Sequence, residues 1–138
     1  MAFIVDASLA AAWFLPDEAS AASSALARRA ADQPCRVPSL FLHEMRNLLL
    51  LALRRGRLAE DVLFDLIDKL GQMSWRDCGP GDGAQIARLA IRHGLTAYDA
   101  AYLALALSER LPLATLDKKL AAAARAEKVA LLGPLATP

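Results

Sequence analysis

Cysteine is nearly absent, with two residues, Cys35 and Cys78, in a chain of 138. Two cysteines cannot staple a small fold, and neither stands in a C-x-x-C pair or beside a histidine at zinc-ligand spacing. A disulfide scaffold and a zinc module are therefore excluded, and a reducing cytoplasm fits. Histidine is as scarce. His43 falls off the helical face that carries Glu44, and His93 sits in a helix-ending R-H-G, where a cation complements the helix dipole; neither stands in a nucleophile or metal motif. Net charge is lacking too, since sixteen basic residues against fifteen acidic ones leave +1. No whole-molecule field draws this chain onto nucleic acid or anionic lipid, and any such partner needs a local patch. Long clean apolar runs are missing as well. LFLHEMRNLLLLAL carries Glu44 and Arg46, LTAYDAAYLALAL carries Asp99, and the opening MAFIVDASLAAAWFLP has no basic flank and is broken by Asp6. Membrane spans and a signal peptide are not expected, and the chain reads as a soluble cytoplasmic protein without a membrane partner.

What is present is apolar material for one core. Hydrophobic residues make up 56% and charged residues 22% of the chain, which excludes intrinsic disorder, and the length suits a single domain over 1–138. No repeat or linker interrupts it, and only the closing GPLATP reads as a tail. The apolar run AFIV ends at Asp6, which predicts a strand followed by a helix to Leu15 before Pro16. A second helix is expected over 17–31, opened by the charges of Asp17 and Glu18. A brief extended piece lies between Pro34 and Pro38. Ser39 then caps a long helix to Arg55, Gly56 breaks it, and another helix runs from Ala59 to Leu70, which makes a helical hairpin. The pattern then restarts with a strand at 73–76, a GPGDG turn, a helix over 84–92 ended by Gly94, and an apolar helix from Thr96 to Ser108. A strand at 111–115, a helix over 118–126 and a last strand at 129–132 complete it. Short apolar strands alternating with helices imply an α/β fold, a three-layer α/β/α sandwich around a mostly parallel sheet.

Ligands of such sheets bind beyond the carboxyl ends of the strands, so acids just after apolar strand runs come first. Asp6 follows FIV and Asp117 follows LPLATL, which puts both on one rim, although each also stands where an N-cap is wanted. Glu44 is harder to dismiss. The helical period places Leu40, Phe41, Leu48 and Leu51 around it, and a carboxylate in an apolar stripe must be protonated, paired with a cation such as Arg55, or bound to a metal. Asp99 fits a capping box with Thr96, yet it opens a helix that must be buried, which holds it at the core's edge. Four carboxylates brought together would repel one another, and hard oxygen ligands of that kind bind Mg²⁺ or Mn²⁺.

The segments FIVDASLAAAWFLPDE, SLFLHEMRNLLL, GLTAYDAAYLALA and ATLDKKL resemble, in order and spacing, the PIN-domain ribonucleases, and specifically the VapC toxins of bacterial toxin-antitoxin pairs. The resemblance runs over nearly the whole chain. It implies a PIN-like fold and a metal-dependent endoribonuclease in which Asp6, Glu44, Asp99 and Asp117 are the catalytic, metal-binding acids for one or two ions of Mg²⁺ or Mn²⁺. Ser8, Asn47 and Thr115 would support that site. It further implies a VapB-like antitoxin as partner, RNA as substrate and a homodimer. Two other readings share the acids: a metal-dependent phosphatase, which would want a second Asp where Ser8 stands, and a PIN-like binding module without turnover.

An all-carboxylate site can act on an anionic phosphodiester only once divalent metal reverses the local sign. RNA would also need cations on its approach. Lys118 and Lys119 directly follow Asp117, and Arg54 and Arg55 close the long helix. Twelve Arg to four Lys suits bidentate phosphate contacts. A second stripe on the long helix, Leu42, Leu49, Leu50 and Leu53, lies opposite Glu44 and is either internal packing against the first helices or a groove for a partner helix.

Overall fold

The structure, a computed structural model, describes residues 1–136; Thr137 and Pro138, the end of the GPLATP tail, lie outside the described residues. The strands are short. β1 (Ile4–Val5), β2 (Cys35–Val37), β3 (Trp75–Asp77), β4 (Leu113–Ala114) and β5 (Leu131–Leu132) form one sheet in the order β3-β2-β1-β4-β5, with every pairing parallel. Between them run α1 (Ala7–Ala11), α2 (Ala21–Asp32), α3 (Phe41–Arg54), α4 (Glu60–Gln72), α5 (Gly83–His93), α6 (Ala97–Glu109) and α7 (Lys118–Ala126).

Strand order dictates the layers. From β1 to β3 the chain steps one way across the sheet, and after β3 it returns to the far side of β1 and continues in the opposite direction. Right-handed crossovers therefore put α1 to α4 on one face and α5 to α7 on the other, the expected three-layer sandwich. In keeping with that split, α3 packs on α1 and α4, and α6 packs on α5 and α7. The reversal leaves a crevice at the carboxyl ends of β1 and β4, the place where open α/β sheets hold ligands.

Burial explains why two-residue strands suffice. Phe3, Ile4, Val5, Leu113 and Ala114 are wholly buried between the helical layers, which is why their runs are continuously apolar and not alternating. The helix α6 is enclosed on nearly all sides through Ala100, Ala101, Leu103, Ala104 and Ala106, and the small alanine side chains admit neighbours close to its backbone.

Four local expectations are corrected. Asp17 and Glu18 do not open α2; they lie in a 3₁₀ turn (Pro16–Glu18), and α2 begins after a reciprocal Ser20–Ser23 capping box, which satisfies the first-turn amides more completely than charge alone. The first helix stops at Ala11, and residues 12–15 are not helical to Leu15. Ser39 does not cap α3, because its hydroxyl donates to Asp77 Oδ1 at 3.0 Å at the end of β3. The stripe Leu42, Leu49, Leu50 and Leu53 is closed to a partner at Leu49. Leu49 is wholly buried and the other three are half-buried against the core, since α3 is covered by α1 on one side and α4 on another. The exposed apolar side chains of the hairpin are instead Val62 and Phe64 on α4.

Candidate active site

Asp6 and Thr115 leave neighbouring strands at the same level, because Val5 pairs with Ala114. Thr115 Oγ1 donates to Asp6 Oδ2 at 2.7 Å, and the Ser8 hydroxyl reaches both Asp6 oxygens at 2.8 and 2.9 Å. Leu9 N–H adds a 3.1 Å bond to Oδ1, so Asp6 also caps α1. Behind these hydroxyls stand backbone donors: Leu116 N–H to Ser8 Oγ and Asp117 N–H to Thr115 Oγ1, each at 3.0 Å. A chain of hydrogen bonds from the β4 exit thus fixes the Asp6 carboxylate, each link polarising the next. Ser8 owns a single proton, so it satisfies only one of its two contacts at a time and leaves Asp6 a free lone pair.

Asp117 also caps, accepting from Leu120 N–H at 2.9 Å. Of the expected Thr96–Asp99 box only the first half forms among the described residues, Asp99 N–H donating to Thr96 Oγ1 at 3.1 Å. The Asp99 carboxylate is left to face the crevice. Across from it, α3 brings in Glu44, whose Oε1 accepts a 2.6 Å bond from the hydroxyl of Tyr102. The expected alternative partner, Arg55, makes no salt bridge with Glu44. Tyr102 is absent from the residues expected at the site, although the sequence carries a signal for it. It lies three residues after Asp99 on an otherwise apolar helix, and a buried phenol needs an acceptor.

Asp6, Glu44, Asp99 and Asp117 thus line one pocket of about 150 Å³, with Ser8, Asn47 and Tyr102 in its wall. A larger cavity, about 320 Å³, opens between the 78–82 loop and α6, but the one acid in its wall, Asp82, is spent on capping α5. Charge separates the two cavities. None of the four pocket acids has a salt-bridge partner among the described residues. Burial pushes Asp6 up to about 6 against the opposing pull of Thr115, Ser8 and Leu9 N–H, with a further push from Asp99. Burial likewise raises Asp99, helped by repulsion from Asp117 and countered by Thr96 and Lys119. It raises Glu44 too, opposed by the Tyr102 bond and assisted by Asp99.

The donor set is all oxygen, under-neutralised and partly dry, which fits a hard divalent cation. The carboxylates stand around the pocket without three of them closing on one point at ligand distance among the described residues. The remaining predicted residues fall nearby or outside. Lys118, Lys119, Arg54 and Arg55 are all exposed. Lys119 lies over Gly94, its Nζ 3.7 Å from where a Cβ would stand, and Gly94 itself has the positive φ of 64° that ends α5. Arg55 borders an adjoining groove that shares Ser8 and Leu48 with the acid pocket. The histidines stay out of the pocket: His43 is exposed, and His93 pairs with Glu127 at 2.7 Å.

The PIN domain family matches residues 3–126 of this chain. A Pyrobaculum aerophilum protein named Ribonuclease VapC3 is 36% identical over 127 residues, which take in 88% of this chain and 93% of that protein. Among solved structures, the crystal structure of PAE2754 from Pyrobaculum aerophilum has a TM-score of 0.71 at 25% identity, covering 89% of this chain and 84% of its own. FitAcB from Neisseria gonorrhoeae gives a TM-score of 0.70 at 21% identity over 97% and 98% of the two chains, a likeness of fold alone.

Proposed function

This chain belongs to the PIN domain family, and on that premise we propose that it is a metal-dependent endoribonuclease of the VapC kind, the toxin of a toxin-antitoxin pair. The observation that carries the reading is the pocket in which Asp6, Glu44, Asp99 and Asp117 meet with no cation of the protein paired to any of them among the described residues. Those four acids would hold one or two ions of Mg²⁺ or Mn²⁺. A bound divalent ion supplies charge reversal toward the phosphodiester and an activated water.

The chain's own part is positioning. Ser8 and Thr115 keep Asp6 in one orientation, and the backbone amides of Leu116 and Asp117 keep those hydroxyls in turn. Such supporting bonds fix how a carboxylate presents its lone pairs to a cation. Asn47, exposed one turn beyond Glu44 and in the pocket wall, offers an amide to substrate or to a metal-bound water. Lys118, Lys119, Arg54 and Arg55 give the RNA backbone cations on the approach, whereas the pocket itself repels an anion until it is neutralised.

An antitoxin completes the proposal, as does a homodimer. Four clustered carboxylates attract a guanidinium for the reason they attract a metal, so an antitoxin arginine placed among them would block the pocket bidentately. The contact cannot use Leu49, which is buried, and it falls instead to the exposed side of the α3–α4 hairpin that carries Val62 and Phe64. In the described residues no helix is long and apolar enough to cross a membrane, and cytoplasmic action on RNA fits the reading. The test is direct. RNA cleavage by the purified protein should vanish in EDTA and return with excess Mg²⁺ or Mn²⁺; cleavage that persists in EDTA overturns the assignment.

A further inference from the structure

Two of the pocket acids come from opposite helical layers, Glu44 from α3 and Asp99 from α6. Glu44 is half-buried and reaches the pocket on a long side chain with three rotatable bonds, so packing alone leaves it several orientations. One bond chooses among them. The Tyr102 hydroxyl, on a side chain only 1% exposed and three residues beyond Asp99 on the same helix, donates to Glu44 Oε1 at 2.6 Å. A phenol has one O–H to donate, and here the bond goes to Glu44. The other oxygen, Oε2, makes no hydrogen bond among the described residues and is left for the pocket.

We propose that Tyr102 is a positioning residue that ties Glu44 across the crevice to the helix bearing Asp99 and thereby sets the divalent-cation affinity of the site. This rests on the metal-dependent reading above and adds to it a residue acting through Glu44. The bond spans the two helical layers, and it holds the Glu44 carboxylate as Ser8 and Thr115 hold that of Asp6. Outer partners of this kind typically govern metal affinity by about 10- to 100-fold.

The experiment compares Mn²⁺ binding by titration calorimetry, with no RNA present, in the wild type, Tyr102→Phe, Glu44→Gln and the double variant. Tyr102→Phe keeps the ring and removes the hydroxyl alone. Affinity should fall about 10-fold or more in Tyr102→Phe, while the double variant should bind no more weakly than Glu44→Gln, because the tyrosine acts through that carboxylate. In cleavage assays the Mn²⁺ concentration for half-maximal rate should rise while the rate at saturating Mn²⁺ stays near that of the wild type. Wild-type affinity in Tyr102→Phe overturns the inference and leaves the nuclease reading standing; a wild type that binds no Mn²⁺ overturns both. A second measurement does not depend on that variant folding. In Tyr98→Phe, which leaves Tyr102 as the sole tyrosine of the two in the chain, ultraviolet resonance Raman bands should shift when Mn²⁺ shares the Glu44 carboxylate. Bands unchanged by saturating Mn²⁺ also overturn the inference.

Discussion

Two groups of acids in this molecule are treated in opposite ways. Asp17 and Glu18, exposed and half-buried respectively in the turn after α1, are both grasped by Arg57, which donates to Asp17 from Nε and from Nη2 and to Glu18 from Nη2 at 2.6 Å. Asp6 is buried and Glu44, Asp99 and Asp117 are half-buried around one pocket, where an unpaired charge costs more, and the four receive hydroxyls and amides but no salt bridge among the described residues. The Arg57 guanidinium holds the Asp17 carboxyl below its ordinary range, whereas burial and mutual repulsion hold Asp6, Glu44 and Asp99 above theirs. The chain has arginine enough to neutralise the pocket and places it elsewhere. A cluster left unpaired and partly dry in a protein so ready to pair its acids is one whose countercharge comes from outside.

The largest expected effect comes from removing one of those charges. Asp99→Asn should lower the RNA cleavage rate by about 100-fold or more, since a residue in direct contact with a cation matters at least as much as the groups that orient it. The same change should leave the metal-free fold intact, because it relieves repulsion from Asp117 without deleting the Thr96 cap, which uses the Asp99 backbone. Circular dichroism and a melting curve beside the cleavage assay check both halves. An active Asp99→Asn protein would break the contrast, for the uncompensated acids would then be incidental.

Next in size is a pH dependence of stability. With the folded-state value of Asp6 raised from 3.8 to about 6, the native state binds the proton more tightly than the unfolded chain. Its contribution is therefore fully present below about pH 4 and is lost as pH rises through about 6, a loss on the order of 3 kcal/mol for a shift of about two units. Divalent cation binds the deprotonated site, so it should restore stability above that pH and do little below it. Urea unfolding of the metal-free protein at intervals from pH 4 to pH 7, repeated with millimolar Mg²⁺, reads this directly. Equal Mg²⁺ stabilisation at pH 4.5 and pH 7 would place the cation somewhere other than beside Asp6.

How much of this could be read in the chain follows the range of the interaction. Asp6 and Asp117 were legible as rim residues because each directly follows an apolar run and opens a helix, and α7 was placed over its observed span, since its cap and its alanines are local signals. The α/β class followed from alternation. Sheet order did not, because two-residue strands pair through contacts distant in sequence that no local period encodes. Asp17 and Glu18 mimic a helix start, since acids before an alanine run resemble one, yet Ser20 and Ser23 satisfy the amides and Arg57 claims the acids. The leucine stripe of α3 reads equally as internal packing or as a partner groove, because a helical wheel shows which side chains align but not what covers them, and α1 and α4 pack on this helix and bury Leu49. Tyr102 escaped notice because its acceptor lies 58 residues away.

The smallest effect belongs to the paired cluster and tests the contrast from its other side. Arg57→Gln removes the clasp from Asp17 and Glu18, all at the surface, where solvent and salt screen the attraction and two long side chains lose freedom to make it. The melting temperature should therefore drop less than the Asp6 effect implies, and the drop should shrink as salt is added. Its pH dependence should run opposite to that of the pocket. Asp17 has its folded-state value lowered, so its contribution is present above the ordinary carboxylate range and is lost as pH falls through the depressed value. Wild type and Arg57→Gln should then converge in strong acid and separate near neutrality, with cleavage unchanged because Arg57 orients none of the four pocket acids. A gap in melting temperature that persists in both strong acid and high salt would mean that Arg57 stabilises through the packing of its stem and not through its charge. The clasp would then cease to be an electrostatic counterpart to the pocket.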